Sequence, residues 1–277
     1  MDHSWSRDGR FLLSSSQDWK CVLWDLRDGS RIRTVKFEAP VYIAELHPFN
    51  QSVGHRAHSL DSKLMFSNSF LFVASLFEDQ PMLVDISSTI PVKRTLPSAP
   101  KRPHIDGEEL NEKQLVQDAK HSTCVTIFTA LGNHIIGGTS KGWLNIIETE
   151  SCETIHSTRL CNGVVIFLRL NASGRDMVVN SSDRVIRTIP MPDLSHVDLD
   201  IDNIKIEVEH KFQDVVNRLS WNHVAFSSTG EYVTASTYMN HDIYVWERSH
   251  GSLVKILEGP KEELGVVEVW FCRTCLL

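Results

Sequence analysis

The sequence predicts an all-β chain organised as an incomplete β-propeller, with about five four-stranded blades and partial ones besides. A turn signature, Ser-x-Asp followed six residues later by a bulky apolar residue and an acid, is clearest in Ser16-Gln17-Asp18-Trp19-Lys20-Cys21-Val22-Leu23-Trp24-Asp25. Degenerate copies end at Val84-Asp85, Ile147-Glu148, Ile189 and Trp246-Glu247. With the loop-like stretches 51–69, 98–119 and 191–205 set aside, these markers recur about every 41 residues, the length of one blade. A lone blade cannot bury both faces of its sheet, so the fold must be stabilised by neighbours stacking on one another.

The strands follow from alternating apolar runs between polar turns. Trp5-Ser6-Arg7-Asp8-Gly9 reads as the end of an inner strand and its turn, followed by strands at 11–15, 20–24 and 31–35. The second blade takes 41–47, 70–75 and 82–86, and the third takes 124–129, 134–138, 143–148 and 153–158. The fourth takes 164–170, 176–180, 185–189 and 204–210, and the fifth 219–226, 232–236, 243–247 and 253–257. Val266 to Trp270 starts a sixth. The whole of 1–277 thus reads as one propeller fragment, with an atypical insertion at 51–69, a flexible Pro-rich charged loop at 97–120 and an off-pattern tail at 271–277. The insertion and the tail are expected to be splice or gene-model departures from a longer parent.

Composition fits a globular body: 42% hydrophobic, 23% charged, and no apolar run long enough to span a bilayer, so no membrane association is expected. The first residues lack a secretory signal, which makes an intracellular chain the expectation. The six cysteines, Cys21, Cys124, Cys152, Cys161, Cys272 and Cys275, are scattered through strand-like segments and read as free thiols. Cys272 and Cys275 have CxxC spacing without a second ligand pair, so no metal site is expected. A net charge of −7 excludes nucleic-acid binding through global charge and leaves room for a local basic face.

Catalytic readings find little support. Asp18 and Asp183 sit in tight strand turns, where a short carboxylate caps backbone N–H groups, so both read as structural turn residues. Gly137 to Gly142 lacks the order of a phosphate loop and leads into a strand, which makes it a hairpin turn. His241-Asp242 and His104-Ile105-Asp106 read as turn and loop residues, and no nucleophile–base set assembles. The expectation is a non-enzyme with no cofactor and no small-molecule substrate. Lys93-Arg94 and Lys101-Arg102 are two sparse basic pairs of the kind that serve nuclear import.

One long string is more specific than the generic Trp-Asp ending of WD repeats. Phe212-Gln213-Asp214-Val215-Val216-Asn217-Arg218-Leu219-Ser220-Trp221, continuing through Phe226-Ser227, Gly230 to Val233, Ile243 to Glu247 and Gly251 to Leu257, resembles the WD40 subunit family typified by retinoblastoma-binding protein five and the Swd-one-type subunit of fungal COMPASS. Trp5 to Gly9 and Ser182-Asp183-Arg184-Val185-Ile186-Arg187 match the same family, and the resemblance is absent from 51–69 and after about 270. It implies a nuclear, non-catalytic scaffold of the complex that methylates lysine four of histone H3. The implied partners are the SET-domain methyltransferase subunit, an Ash-two-type subunit, a second WD-repeat subunit and the nucleosome, through DNA and histones. The family's SET- and Ash-two-binding segments lie in an acidic tail after the propeller, so this chain by itself is expected not to stimulate the methyltransferase.

In a propeller, the turns between second and third strands share a face with the connections between blades. Arg184 lies in such a turn, Arg218 follows one connection and Lys261 lies in the next, so the three are expected to share a rim. By resemblance these positions contact nucleosomal DNA, and arginine suits phosphate because its planar fork makes two hydrogen bonds at once. Tyr238 stands where the family would carry another cation, a departure that weakens the rim. The alternative is a generic WD40 adaptor such as a ubiquitin-ligase substrate receptor, which would need an adaptor-binding motif beyond these blades.

Overall fold

The computed structural model describes residues 2–49, 71–102, 116, 118, 120–194, 204–214, 216, 218–238 and 242–259. They form five four-stranded sheets, each with its strands side by side in chain order. The first contains β1 (Asp2–Trp5), β2 (Phe11–Ser15), β3 (Lys20–Asp25) and β4 (Ser30–Lys36), and the second β5 (Val41–Leu46), β6 (Leu71–Leu76), β7 (Met82–Asp85) and β8 (Val92–Thr95). The third contains β9 (Thr123–Phe128), β10 (His134–Thr139), β11 (Trp143–Glu148) and β12 (Thr154–Arg159). The fourth contains β13 (Val165–Leu170), β14 (Asp176–Ser181), β15 (Ile186–Pro190) and β16 (His210–Phe212). The fifth contains β17 (Trp221–Phe226), β18 (Tyr232–Thr237), β19 (Ile243–Glu247) and β20 (Ser252–Leu257). This is the β-propeller architecture, built from blades.

The chain divides into two compact units, one made of Met1–Ala99, Ser122–Gly137 and Ile146–Ile155, the other of Pro100–His121, Gly138–Asn145 and His156–Leu277. The first unit shows how stacking stabilises blades. β2 alternates buried and half-buried residues, whereas every residue of β6 is buried. The difference arises because both faces of β6 are covered. Phe72, Ala74 and Leu76 pack against Phe11, Leu13, Leu23 and Phe37, while Leu71 and Val73 pack against Phe128, Ile135 and Ile147. Phe37 meets Phe72 edge to face with ring centroids 6.4 Å apart, an arrangement that suits the ring quadrupoles.

A repeated turn closes the first hairpin of four blades. Gly9, Gly132, Gly174 and Gly230 all have φ between 71° and 78°, and their N–H groups donate to the carbonyls of Ser6, Thr129, Asn171 and Ser227 at 2.9–3.0 Å. Glycine suits this place because it enters the left-handed region without a Cβ penalty. Trp19, Glu78, Cys152, Arg184 and Arg218 adopt positive φ without being glycine, at a cost of about 1 kcal/mol each.

In the second unit, the fourth and fifth sheets are joined by an aromatic cluster and an ion pair. Trp221 lies 5.1 Å from Tyr244 and 5.3 Å from Trp246, and Trp246 lies 5.5 Å from Phe212, measured between ring centroids. Arg248 grips Asp176 through two nitrogens at 2.6 and 2.7 Å and also reaches Glu209 at 2.9 Å.

Three strands differ from the sequence reading by more than one residue. The second blade gains β8, a fully exposed strand. The outer strand of the fourth blade is His210–Phe212 rather than 204–210; Ile204 is buried but unpaired in a strand. The inner strand of the fifth begins at Trp221 rather than Leu219. The described flanks of the 97–120 stretch are anchored: Lys101 N–H donates to Ser157 Oγ at 2.8 Å, and Arg102 holds Asp118 through two bonds at 2.7 and 2.8 Å. The insertion at 51–69, the strand at 266–270 and the tail at 271–277 lie outside the described residues. Cys21, Cys124, Cys152 and Cys161 are free thiols, and burial pushes the Cys21 thiol up to about 12.

Candidate nucleic-acid interface

Arg184 occupies the turn between β14 and β15. Its N–H donates to the Ser181 carbonyl at 3.1 Å, and its backbone sits at φ 68°. Asp183 stiffens the same turn. Its Oδ1 accepts from Ser181 Oγ at 2.7 Å and from Val185 N–H at 3.1 Å, and its carboxylate pairs with the buried Arg187. Partial burial opposes ionisation of Asp183, but the Arg187 and Ser181 bonds and the Val185 N–H outweigh it, so its pKa is lowered. The Arg184 side chain is exposed and makes no ion pair among the described residues.

Arg218 lies in the connection from β16 to β17. Its N–H donates to the Asp214 carbonyl at 3.1 Å with φ 50°, and its side chain is exposed. Asp214 is fixed in turn by the Tyr244 hydroxyl, which donates to its Oδ2 at 3.0 Å. Trp221 links the two cationic segments. Its indole N–H donates to the Arg184 carbonyl at 2.9 Å, and its ring packs on Tyr244. Asn180 Nδ2 donates to the Trp221 carbonyl at 3.0 Å, and Tyr238 N–H reaches the Ser220 carbonyl at 3.4 Å. The Arg184 turn, the Arg218 connection and the Tyr238 turn therefore converge on the start of β17. Two exposed guanidinium groups on pinned backbone form an arrangement that can bind phosphate oxygens. Lys261 lies outside the described residues.

Sequence reasoning missed one cation in the same unit. Lys141 is exposed in the β10–β11 turn, the counterpart of the Arg184 turn one sheet earlier. The Gly142 carbonyl there accepts from Leu160 and Cys161, and Val164 N–H donates to Ser182 Oγ at 2.8 Å, so the connection 160–164 bridges the two turns. The signal was available in the turn's register, but a Gly-rich context hid it. Gly142 is obligatory there, because a Cβ would lie 2.1 Å from the Cys161 carbonyl oxygen.

Asp18 lies in the β2–β3 turn, exposed and paired with Lys20 at 3.2 Å; the Lys20 bond, then the Ser16 hydroxyl, lower its pKa. Among the described residues, no group of three or more His, Cys, Asp or Glu side chains is placed to hold a metal ion. No helix among them is long and apolar enough to cross a membrane.

No protein-family model matches the chain. It is 45% identical over 261 residues to the Set1 complex component swd1 of Schizosaccharomyces pombe, covering 94% of this chain and 57% of that protein. It is 30% identical to the Retinoblastoma-binding protein 5 homolog of Drosophila melanogaster over 96% of this chain and 47% of that one. The chain thus spans about half the length of the curated relatives it matches. The crystal structure of the Cps50 (Swd1) β-propeller domain of Myceliophteria thermophila superposes with a TM-score of 0.80 at 53% identity, covering 94% of this chain and 74% of that one. With a shared fold at this level of identity and coverage, the chain belongs to the Swd1 and retinoblastoma-binding protein 5 family of WD40 β-propellers.

Proposed function

We propose that this chain is a non-catalytic WD40 scaffold subunit of a COMPASS-type complex that methylates lysine four of histone H3, and that it acts in the nucleus. The observation that carries this reading is the 53% identity with a solved Swd1 propeller, joined to relatives named as Set1 complex and COMPASS components. The proposed partners are the SET-domain methyltransferase subunit, an Ash-two-type subunit, a second WD-repeat subunit and the nucleosome.

Arg184 and Arg218 are the proposed contacts to nucleosomal DNA, with Lys261 and Lys141 extending them. Support comes from the exposure of Arg184, Arg218 and Lys141 and from the backbone of the two arginines, held by Trp221 and Asp214, which limits the conformational entropy lost on binding. The body carries a net charge of −7, so a basic rim would orient the subunit on DNA instead of coating it indiscriminately. Asp18 and Asp183 keep structural roles in their turns.

Affinity purification of the tagged chain from nuclear extract, followed by mass spectrometry, tests the proposal. Recovery of subunits of a COMPASS-type complex is the expected result, and the SET-domain and Ash-two-type subunits among them would mean that the propeller carries binding of its own. Recovery of chaperones alone, or of a ubiquitin-ligase adaptor, would overturn it.

A further inference from the structure

Three large aromatic side chains are exposed on adjoining segments of the first unit. Trp19 lies in the β2–β3 turn, Tyr42 at the start of β5 and Phe77 in the β6–β7 turn, with 43%, 53% and 44% of their surfaces exposed. Backbone bonds stitch these segments together: Phe37 N–H donates to the Trp19 carbonyl at 2.8 Å, Val41 N–H to the Ser16 carbonyl at 3.2 Å, and Phe77 N–H to the Pro40 carbonyl at 2.9 Å. The Tyr42 and Phe77 rings lie 5.6 Å apart. Trp19 is held at φ 70°, a left-handed conformation that bulky residues rarely adopt. Gly142 and Arg184 fill the same left-handed turn position in other blades, so the conformation belongs to the hairpin, and in this one it carries an exposed ring.

The same segments are acidic. Asp18, Glu38 and Glu78 are all exposed; Lys20 is paired with Asp18, and the exposed Lys36 and Lys93, the latter over the buried Phe37 ring at 4.8 Å, are the other cations beside these segments. Exposed aromatic faces bordered by carboxylates suit one class of partner, a cation on an apolar stem, because ring quadrupoles and carboxylates attract the same charge.

We propose that Trp19, Tyr42 and Phe77, with Asp18, Glu38 and Glu78 around them, form a docking surface for a basic, extended peptide whose lysine or arginine side chains stack on the rings. This surface would act separately from the DNA contacts, so its failure would leave the scaffold reading standing.

The test is fluorescence anisotropy of the full chain with three labelled probes: an alternating glycine–lysine peptide, its lysine-acetylated form and a glycine–glutamate peptide. The lysine peptide is expected to bind and the other two to fail. Tyr42→Ala and Phe77→Ala should each weaken binding about fivefold, and Tyr232→Ala, an exposed tyrosine of the second unit, should not. Glu38→Lys combined with Glu78→Lys should abolish binding with an unchanged melting temperature, which separates loss of the surface from loss of the fold. No binding of the lysine peptide, equal binding of all three probes, or binding insensitive to both Tyr42→Ala and the charge reversal would overturn the proposal.

Discussion

The indole N–H of Trp221 donates to the backbone carbonyl of Arg184 at 2.9 Å, across 37 residues of sequence. Trp221 is almost completely buried, so a residue at the root of one blade fixes the backbone of an exposed cation on the blade before it. Packing in the core and charge at the surface are thus linked through a single hydrogen bond.

Trp221→Phe removes that donor while keeping an aromatic ring against Tyr244 and Trp246. The lost bond and the smaller ring should together destabilise the chain by about 2 kcal/mol, read as a lower urea midpoint. DNA affinity should also fall, although no charge has been removed. Unchanged affinity in a still-folded variant would show that the Arg184 turn does not need this restraint.

Removing the cations themselves should act differently. If Arg184 and Arg218 each neutralise a phosphate, each alanine substitution should reduce the slope of log affinity against log salt by about 0.9, and the double substitution by about 2. Titration of a DNA duplex at several salt concentrations measures this. A slope unaltered in the double variant would remove both arginines from the interface.

Most strands were legible in the sequence because runs of apolar residues sit between polar turns: burial alternates along Phe11–Ser15 and Lys20–Asp25, with Phe11, Leu13, Cys21 and Leu23 buried, although Leu12, Val22 and Trp24 are only half-buried and the polar Ser15 and Asp25 are buried. β8 was not, since all four of its residues are exposed and Val92-Lys93-Arg94-Thr95 carries no burial pattern. At 204–210 the apolar pattern reported burial of Ile204, which is not the same as ladder pairing. Arg184 and Arg218 were found through family resemblance. Their left-handed backbone was hidden, because turns of this kind usually advertise themselves with Gly or Asn. The bonds from Trp221 and Tyr244 that position them join residues distant in sequence, which no local pattern encodes.

Gly132 and Gly9 have nearly the same φ, 75° and 71°, but different surroundings. A Cβ on Gly132 would meet the His47 ring at 2.1 Å, whereas a Cβ on Gly9 meets nothing within 4 Å. Gly9→Ala should therefore cost only the left-handed penalty of about 1 kcal/mol. Gly132→Ala should cost about 1–3 kcal/mol more, from overpacking, and should disturb the bond between His47 Nε2 and the Gly132 carbonyl. Denaturant titration of the two variants isolates the contact, and equal losses would show that the ring simply moves aside.

Arg248 joins the fourth and fifth blades through Asp176 and Glu209, and both members of its main pair are largely shielded from water. Arg248→Met would leave the shielded Asp176 without its cation, still accepting from the Asn171 amide at 2.6 Å, at a cost of about 2–3 kcal/mol. Arg248→Lys should recover only part of this, since a single ammonium cannot reproduce the two-pronged grip. Full recovery in the lysine variant would mean that charge alone, and not geometry, holds the pair.

Stability should also fall on mild acidification. Burial lowers the pKa of His47, His121, His134 and His156; the hydrogen bond to the Gly132 carbonyl at His47 and the negative charges of Asp118 at His121 and Glu148 at His134 partly oppose this, while nearby cations add to it, Lys141, Arg102 and Arg159 at His121 and Lys101 at His156. A histidine whose folded pKa lies below its unfolded value binds more protons when unfolded. Its stabilisation is complete above about pH 6.5 and is lost as pH falls towards the folded pKa. The depressed carboxylates act in a lower window: Asp25, held down chiefly by Arg10, and Asp118, held down chiefly by Arg102, lose their contribution only below about pH 4. Urea midpoints measured from pH 8 to pH 5 should therefore decline from about 6.5 downward, before any carboxylate titrates. His134→Gln should flatten that decline, because its ring is buried and its neutral form is the one the fold accommodates. A midpoint that holds constant or rises across this range would mean that the buried rings take up protons as readily in the folded chain as in the unfolded one.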